Sequence, residues 1–103
     1  DARRLALMKT GSVLVNVARG AIIDTDALVV ELNSGRISAG LDVTDPEPLP
    51  EGHPLWNAPN CLITPHVGGD TSAFEPRFRK LVEEQLERFA AGQELINIVI
   101  TPI

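Results

Sequence analysis

The chain has 103 residues, is 44% hydrophobic and carries a net charge of −5. It is long enough for one small domain with a core, and the lack of a basic run argues against binding nucleic acid through phosphate neutralisation. A single cysteine, Cys61, excludes an internal disulfide and a thiolate zinc cluster and fits a reducing, cytoplasmic setting; no apolar run reaches the roughly 18–20 residues of a membrane span.

Arg3 to Lys9 reads as helical, with Gly11 as its stop. The opening DARRLALMKTG resembles the end of a helix already under way, so the chain is expected to be a piece of something longer. Ser12 to Val17 is rich in β-branched residues at neighbouring positions, the pattern of a strand covered on both faces. Asp24 or Thr25 can cap a second helix that runs to Asn33, with Leu28 and Leu32 on one side and Gly35 at the C′ position. Ile37 to Val43 gives the next strand. Strand, short helix and strand in about thirty residues make a βαβ unit with a right-handed crossover.

Asp45 to Asn60 holds five of the eight prolines and reads as a long loop, functional or disordered, with Leu55 and Trp56 plugging it onto the core. CLIT forms a third strand and PHVGGD a turn. The longest helix spans Ser72 to Ala91, with Phe78, Leu81, Val82, Leu86 and Phe89 on one side and the pairs Arg79–Glu83 and Glu84–Arg88 on the other. Pro76 makes its first turn irregular or marks its true start, and Gly92 ends it. LINIVI is a final strand or an arm that pairs elsewhere. The expected fold class is therefore α/β: the C-terminal part of a Rossmann-like parallel sheet with flanking helices, plus a long C-terminal helix.

The three strands end near polar groups. The first runs out toward Arg19, the second ends at Asp42 with Asp45 and Glu47 beyond, and the third leads to His66. In a parallel sheet these ends share one edge, which is where ligands bind in open α/β sheets. Arginine grips a carboxylate in a bidentate manner, histidine moves protons near neutral pH, and a carboxylate beside histidine favours the imidazolium and orients the ring. The set suits a small acid whose carbonyl or hydroxyl exchanges a proton. Two histidines at positions 53 and 66 make no metal site. Each residue has a plainer reading: Arg19 as a surface charge, His66 as a turn histidine, Glu47 as a solvated loop acid, Asp42 as a strand-end cap, His53 as structural or solvent-facing and Cys61 as a small buried hydrophobe.

MKTGSVLVNVARGAIID (Met8 to Asp24), GLDVTDPEPLP and NCLITPHVGG resemble, in order and spacing, three motifs of the D-isomer-specific 2-hydroxyacid dehydrogenases. The resemblance implies hydride transfer between NAD(P)H and a small 2-keto or D-2-hydroxy acid. It implies that Arg19 binds the substrate carboxylate, that His66 is the acid/base and that Glu47 holds and tunes His66, the three forming the catalytic set. It implies that Asp42 contacts the nicotinamide carboxamide and that Val17, Ala18, Arg19, His66, Gly68 and Gly69 line the nicotinamide side, with a homodimer as the assembly. Glu47 stands where the formate dehydrogenase branch carries Gln, which favours keto-acid chemistry. Thr44 stands where many members have an aromatic residue, which bears on substrate preference. The G-x-G-x-x-G phosphate cradle and the ribose-binding acid do not occur in this chain. Residues 1–70 are expected to be the C-terminal half of a dinucleotide-binding domain, and 71–103 a helix and tail that return toward a substrate domain, where the Phe78–Phe89 stripe would dock. Without that partner the stripe would be exposed, and the piece alone is expected to be inactive. A nicotinamide-sensing, corepressor-like binding module of the same fold is the competing expectation.

Overall fold

A computed structural model describes residues 1–99. Helix α1 covers Ala2–Ala6, strand β1 Val13–Asn16, helix α2 Thr25–Asn33, strand β2 Ser38–Leu41, strand β3 Cys61–Ile63 and helix α3 Phe74–Ala90. Short 3₁₀ turns lie at Gly20–Ile22 and Pro54–Asn57. The three strands are parallel in the order β1-β2-β3, with Asn16 opposite Leu41 and Leu41 opposite Ile63. The chain forms two compact units that divide between Gly68 and Gly69.

In the first unit the core is built where helix periodicity meets strand alternation. Leu28 and Leu32, one turn apart on α2, pack with Leu5 of α1, with Ile37 just before β2 and Ala39 and Leu41 on it, and with Leu55 of the proline-rich segment. Burying each such leucine contributes roughly 1.5–3 kcal/mol. Asp24 caps α2 by accepting the Ala27 N–H at 3.0 Å, and Gly35 takes φ +70° just past the Ser34 C-cap.

Helix α1 ends earlier than its sequence implies. It stops at Ala6, and Gly11 instead serves the turn into β1 at φ +83°. Arg36 explains the early stop. Its guanidinium donates to the Leu5 carbonyl at 2.7 Å and to the Met8 carbonyl, while Nε donates to Glu31 at 2.8 Å. A side chain 31 residues away thus satisfies carbonyls that a longer helix would have used.

The expectation that β1 is covered on both faces is not met. Leu14, Ala39 and Cys61 share one face and pack on the core, but Val13, Val15 and Leu62 on the other face are 65–68% exposed. Helices α1 and α2 cover one side of the sheet, and among the described residues nothing in this unit covers the other.

Trp56 corrects a second expectation. Leu55 is buried, whereas Trp56 is 53% exposed and donates its indole N–H to the Pro50 carbonyl at 2.9 Å. His53 is structural, as expected: its Nδ1 accepts the Leu55 N–H at 3.2 Å and caps the 3₁₀ turn. Cys61 is half-buried against the core, and burial pushes its thiol up.

The second unit comprises α3 and the residues on either side of it. Pro76 falls in the first turn of the helix, where no intrahelical N–H is lost, so the helix starts two residues before it. Glu75 is thereby helical, and Arg79 pairs back to it at 3.0 Å instead of forward to Glu83. Arg88 pairs with Glu84 at 3.2 Å, as expected. Gly92, at φ +64°, comes just after the last turn. Phe74, Phe78, Leu86 and Phe89 are exposed, with the first two rings stacked at 5.8 Å. Residues 95–99 form no strand; Ile96 is held by both ends of the Gln85 amide. The rest of LINIVI lies outside the described residues.

Candidate active site

The carboxyl ends of β1, β2 and β3 lie side by side because the strands are parallel and in register. Each exit carries one of the polar groups expected there, and each is held by its own hydrogen bonds.

At the β1 exit, Asn16 is only 3% exposed. Its Nδ2 donates to the Arg19 carbonyl at 2.9 Å, and its Oδ1 accepts the Ala18 N–H at 3.1 Å. This closes the turn that carries Val17, Ala18 and Arg19. Gly20 then presses against the β2 exit, where a Cβ would lie 1.9 Å from the Thr44 carbonyl oxygen. Only glycine allows that approach. The Arg19 side chain is exposed, and its guanidinium donates to the Ala18 carbonyl at 2.7 Å.

At the β2 exit, Asp42 is 6% exposed and its carboxylate faces the β3 exit. Oδ1 accepts from the Thr64 hydroxyl at 2.5 Å and from the Val67 N–H at 3.0 Å; Oδ2 accepts from the Gly68 N–H at 2.7 Å. The Thr64 hydroxyl first, then the two N–H groups, hold the Asp42 carboxyl below the usual carboxylate range, and the nearby His66 adds to this against the opposing cost of burial. A Cβ on Gly68 would approach Oδ2 at 2.8 Å and Val17 at 3.8 Å, so the β1 and β3 exits meet over Asp42.

At the β3 exit, His66 sits at φ +57°, a left-handed conformation uncommon for a residue with a side chain. Its Nδ1 lies 2.5 Å from Glu47 Oε1. An ionised carboxylate only accepts, so Nδ1 carries the shared proton and Nε2 is left for another partner. The pair is half-exposed. Beside it opens a cavity of about 230 Å³ walled by Thr44, Pro48, Leu49, Trp56 and Ile63.

The structure therefore brings His66 and Glu47 into contact and joins Asp42 to the segment on either side of His66. It does not pair Arg19 with either member of the His66–Glu47 pair. Gly69 begins the second unit, where its carbonyl accepts the Thr71 N–H at 3.0 Å. Sequence reading missed Asn16, Gly20 and Thr64. A polar residue at the end of an apolar strand was the available signal for Asn16; Gly20 and Thr64 act on neighbours distant in sequence.

A nicotinamide group fits this edge in part. Val17 is exposed beside Gly68, and Asp42 Oδ2 accepts one hydrogen bond of the two it can take.

An open parallel α/β unit with an acid–imidazole pair at its carboxyl edge is the architecture of a cofactor-binding domain. The chain belongs to the D-isomer specific 2-hydroxyacid dehydrogenase family, whose NAD binding domain matches residues 1–68. It is 51% identical to human glyoxylate reductase/hydroxypyruvate reductase over 65 residues, which are 62% of this chain and 20% of that one. A D-isomer specific 2-hydroxyacid dehydrogenase of Xanthobacter autotrophicus Py2, solved with NADPH and MES, superposes with a TM-score of 0.84 at 40% identity, covering 97% of this chain and 41% of that one. An NAD-dependent formate dehydrogenase of Staphylococcus aureus, solved with NAD, gives 0.82 at 36% identity over 99% of this chain and 32% of that one. The chain spans between 20% and 33% of the length of the curated relatives it matches. No helix among the described residues is long and apolar enough to cross a membrane.

Proposed function

We propose that the chain supplies one wall of the active site of an oxidoreductase that moves a hydride between NAD(P)H and a small 2-keto acid. The observation that carries this reading is the 2.5 Å contact of Glu47 with His66 Nδ1 at the carboxyl edge of a parallel sheet. Residues 1–70 are the cofactor-side portion, and the residues from 71 onward serve a separate part of the full-length enzyme.

The proposed chemistry derives from donor and acceptor roles. Arg19 leaves the Ala18 carbonyl to take the substrate carboxylate in a bidentate grip. Glu47 fixes the tautomer and tilt of the His66 ring, so Nε2 faces the keto oxygen with its proton. As the keto carbon accepts the hydride, that proton passes to the oxygen, and the imidazole left behind recovers one from solvent. A bound reduced nicotinamide supplies the hydride, and Val17, Ala18, Gly68 and Gly69 with Asp42 would lie on its side of the site. The relatives include proteins solved with NADPH and with NAD, which supports a nicotinamide cofactor without choosing between them. A carboxylate partner on His66 supports keto-acid reduction over formate oxidation, because formate releases carbon dioxide and needs no proton donor.

The test is a keto-acid assay on the full-length enzyme, following NADH absorbance with glyoxylate, pyruvate and hydroxypyruvate. His66→Ala should lower kcat by about 10²-fold or more, and Arg19→Ala should mainly raise KM. Wild-type turnover in His66→Ala would overturn the acid/base assignment. Tight NADH binding with no turnover on any keto acid would favour a sensor.

A further inference from the structure

Asp42 is a buried carboxylate that accepts three hydrogen bonds from one turn. Among the described residues no Lys or Arg forms a salt bridge with it. Its three donors, the Thr64 hydroxyl and the Val67 and Gly68 N–H groups, bracket His66 in sequence. His66 itself is held at φ +57°, which costs free energy for a residue with a Cβ. Successive N–H groups after a left-handed residue make a concavity that binds anions. Here the anion is a side chain of the same unit. Gly68 fits the arrangement, since a Cβ there would lie 2.8 Å from Oδ2.

We propose that Asp42, braced by Thr64, is the positioning residue that holds His66 in its left-handed turn, so that Nδ1 meets Glu47 and Nε2 faces the substrate. This rests on the reading of His66 as the proton donor. It differs from a role for Asp42 as a contact to the cofactor alone. Oδ1 already accepts two hydrogen bonds and Oδ2 one, so at most one acceptor direction is left for a carboxamide. Thr64 separates the two roles, because its hydroxyl donates to Asp42.

The experiment uses the full-length enzyme. Asp42→Asn sets an amide N–H₂ against the Val67 or the Gly68 N–H, whichever way the amide turns, and Thr64→Val removes the brace without touching the carboxylate. Asp42→Asn should lower kcat by about 50-fold and Thr64→Val by about 5-fold, with KM for the keto acid and Kd for NADH in Thr64→Val within about twofold of wild type. Thr64→Ser keeps the hydroxyl and should restore kcat. Amide exchange at Val67 and Gly68 should quicken in Thr64→Val while Ala18, held by Asn16, stays protected. Wild-type kcat in Thr64→Val overturns the proposal, as does an Asp42→Asn variant that weakens NADH about tenfold yet keeps its kcat at saturation. If the wild-type enzyme reduces no keto acid, the functional reading fails and the exchange data decide alone. Unchanged protection at Val67 and Gly68 in Thr64→Val then refutes the positioning role, and selective loss supports it. If Asp42→Asn does not fold, the two Thr64 variants decide.

Discussion

Asn16 and Asp42 close two neighbouring strands in opposite ways. Both are buried, and both spend their side chains on the turns that leave the sheet. Asn16 works inside its own turn, which offers one carbonyl and one N–H, and a neutral amide has one group for each. Asp42 works on a turn from another strand, which sets one N–H group against each of its oxygens and adds a hydroxyl; an amide would turn its N–H₂ onto one of those N–H groups, whereas a carboxylate accepts from all three. The residue type at each exit is thus dictated by the donor and acceptor inventory of the loop it holds. The first clamp needs no charge. The second depends on one.

The sharpest way to break the comparison is at the glycine of each exit. Gly20 abuts the Thr44 backbone, which cannot turn aside, so Gly20→Ala should destabilise by about 3 kcal/mol or more, read from the urea midpoint. Next is an exchange of clamp chemistry. Asn16→Asp sets a carboxylate oxygen against the Arg19 carbonyl and should cost about 2 kcal/mol, more than Asn16→Ala at about 1 kcal/mol. Equal losses from the two would mean that hydrogen-bond polarity does not select the residue at position 16. At the other exit the neighbour of Gly68 is the tip of a side chain, so Gly68→Ala should cost only about 1 kcal/mol, with the carboxylate pushed aside. A Gly68→Ala loss as large as that of Gly20→Ala would show that Asp42 is as rigid as backbone.

These clamps also mark where sequence reading stops. The α2 caps at Asp24 and Gly35 and the parallel pairing of β1 and β2 in a βαβ unit are local or topological signals, and they are legible. The proximity of His66 and Glu47, 19 residues apart, is anticipated through family resemblance and the shared strand edge, not through spacing. Arg36 on α1 and Thr64 on Asp42 act across 22 to 31 residues through exposed-looking polar side chains, which no periodicity reports. The β1 pattern reports apolar side chains on both faces, but it cannot say whether a helix from this unit covers each one. The same blindness to direction misplaces Trp56, since a 3₁₀ turn sends adjacent side chains to different sides and only Leu55 points inward.

The smallest effect is the pH dependence that separates the charged clamp from the neutral one. The Asp42 carboxyl is held below its ordinary value of about 3.9 by the hydroxyl and N–H groups that face its ionised form. A carboxylate depressed in the folded state contributes its stabilisation above the unfolded value, and the contribution is lost as pH falls through the lower folded value. Wild type should therefore lose stability more steeply than Asp42→Asn below about pH 4, while the difference between the two stays constant from about pH 5 to 7. Asn16→Ala should run parallel to wild type across the whole range, because no proton is gained or lost at an amide. Urea midpoints at pH 3, 4, 5 and 7 would read all three slopes. If wild type and Asp42→Asn ran parallel below pH 4, the carboxylate would not be titrating against its three donors, and the distinction between the two strand exits would reduce to geometry alone.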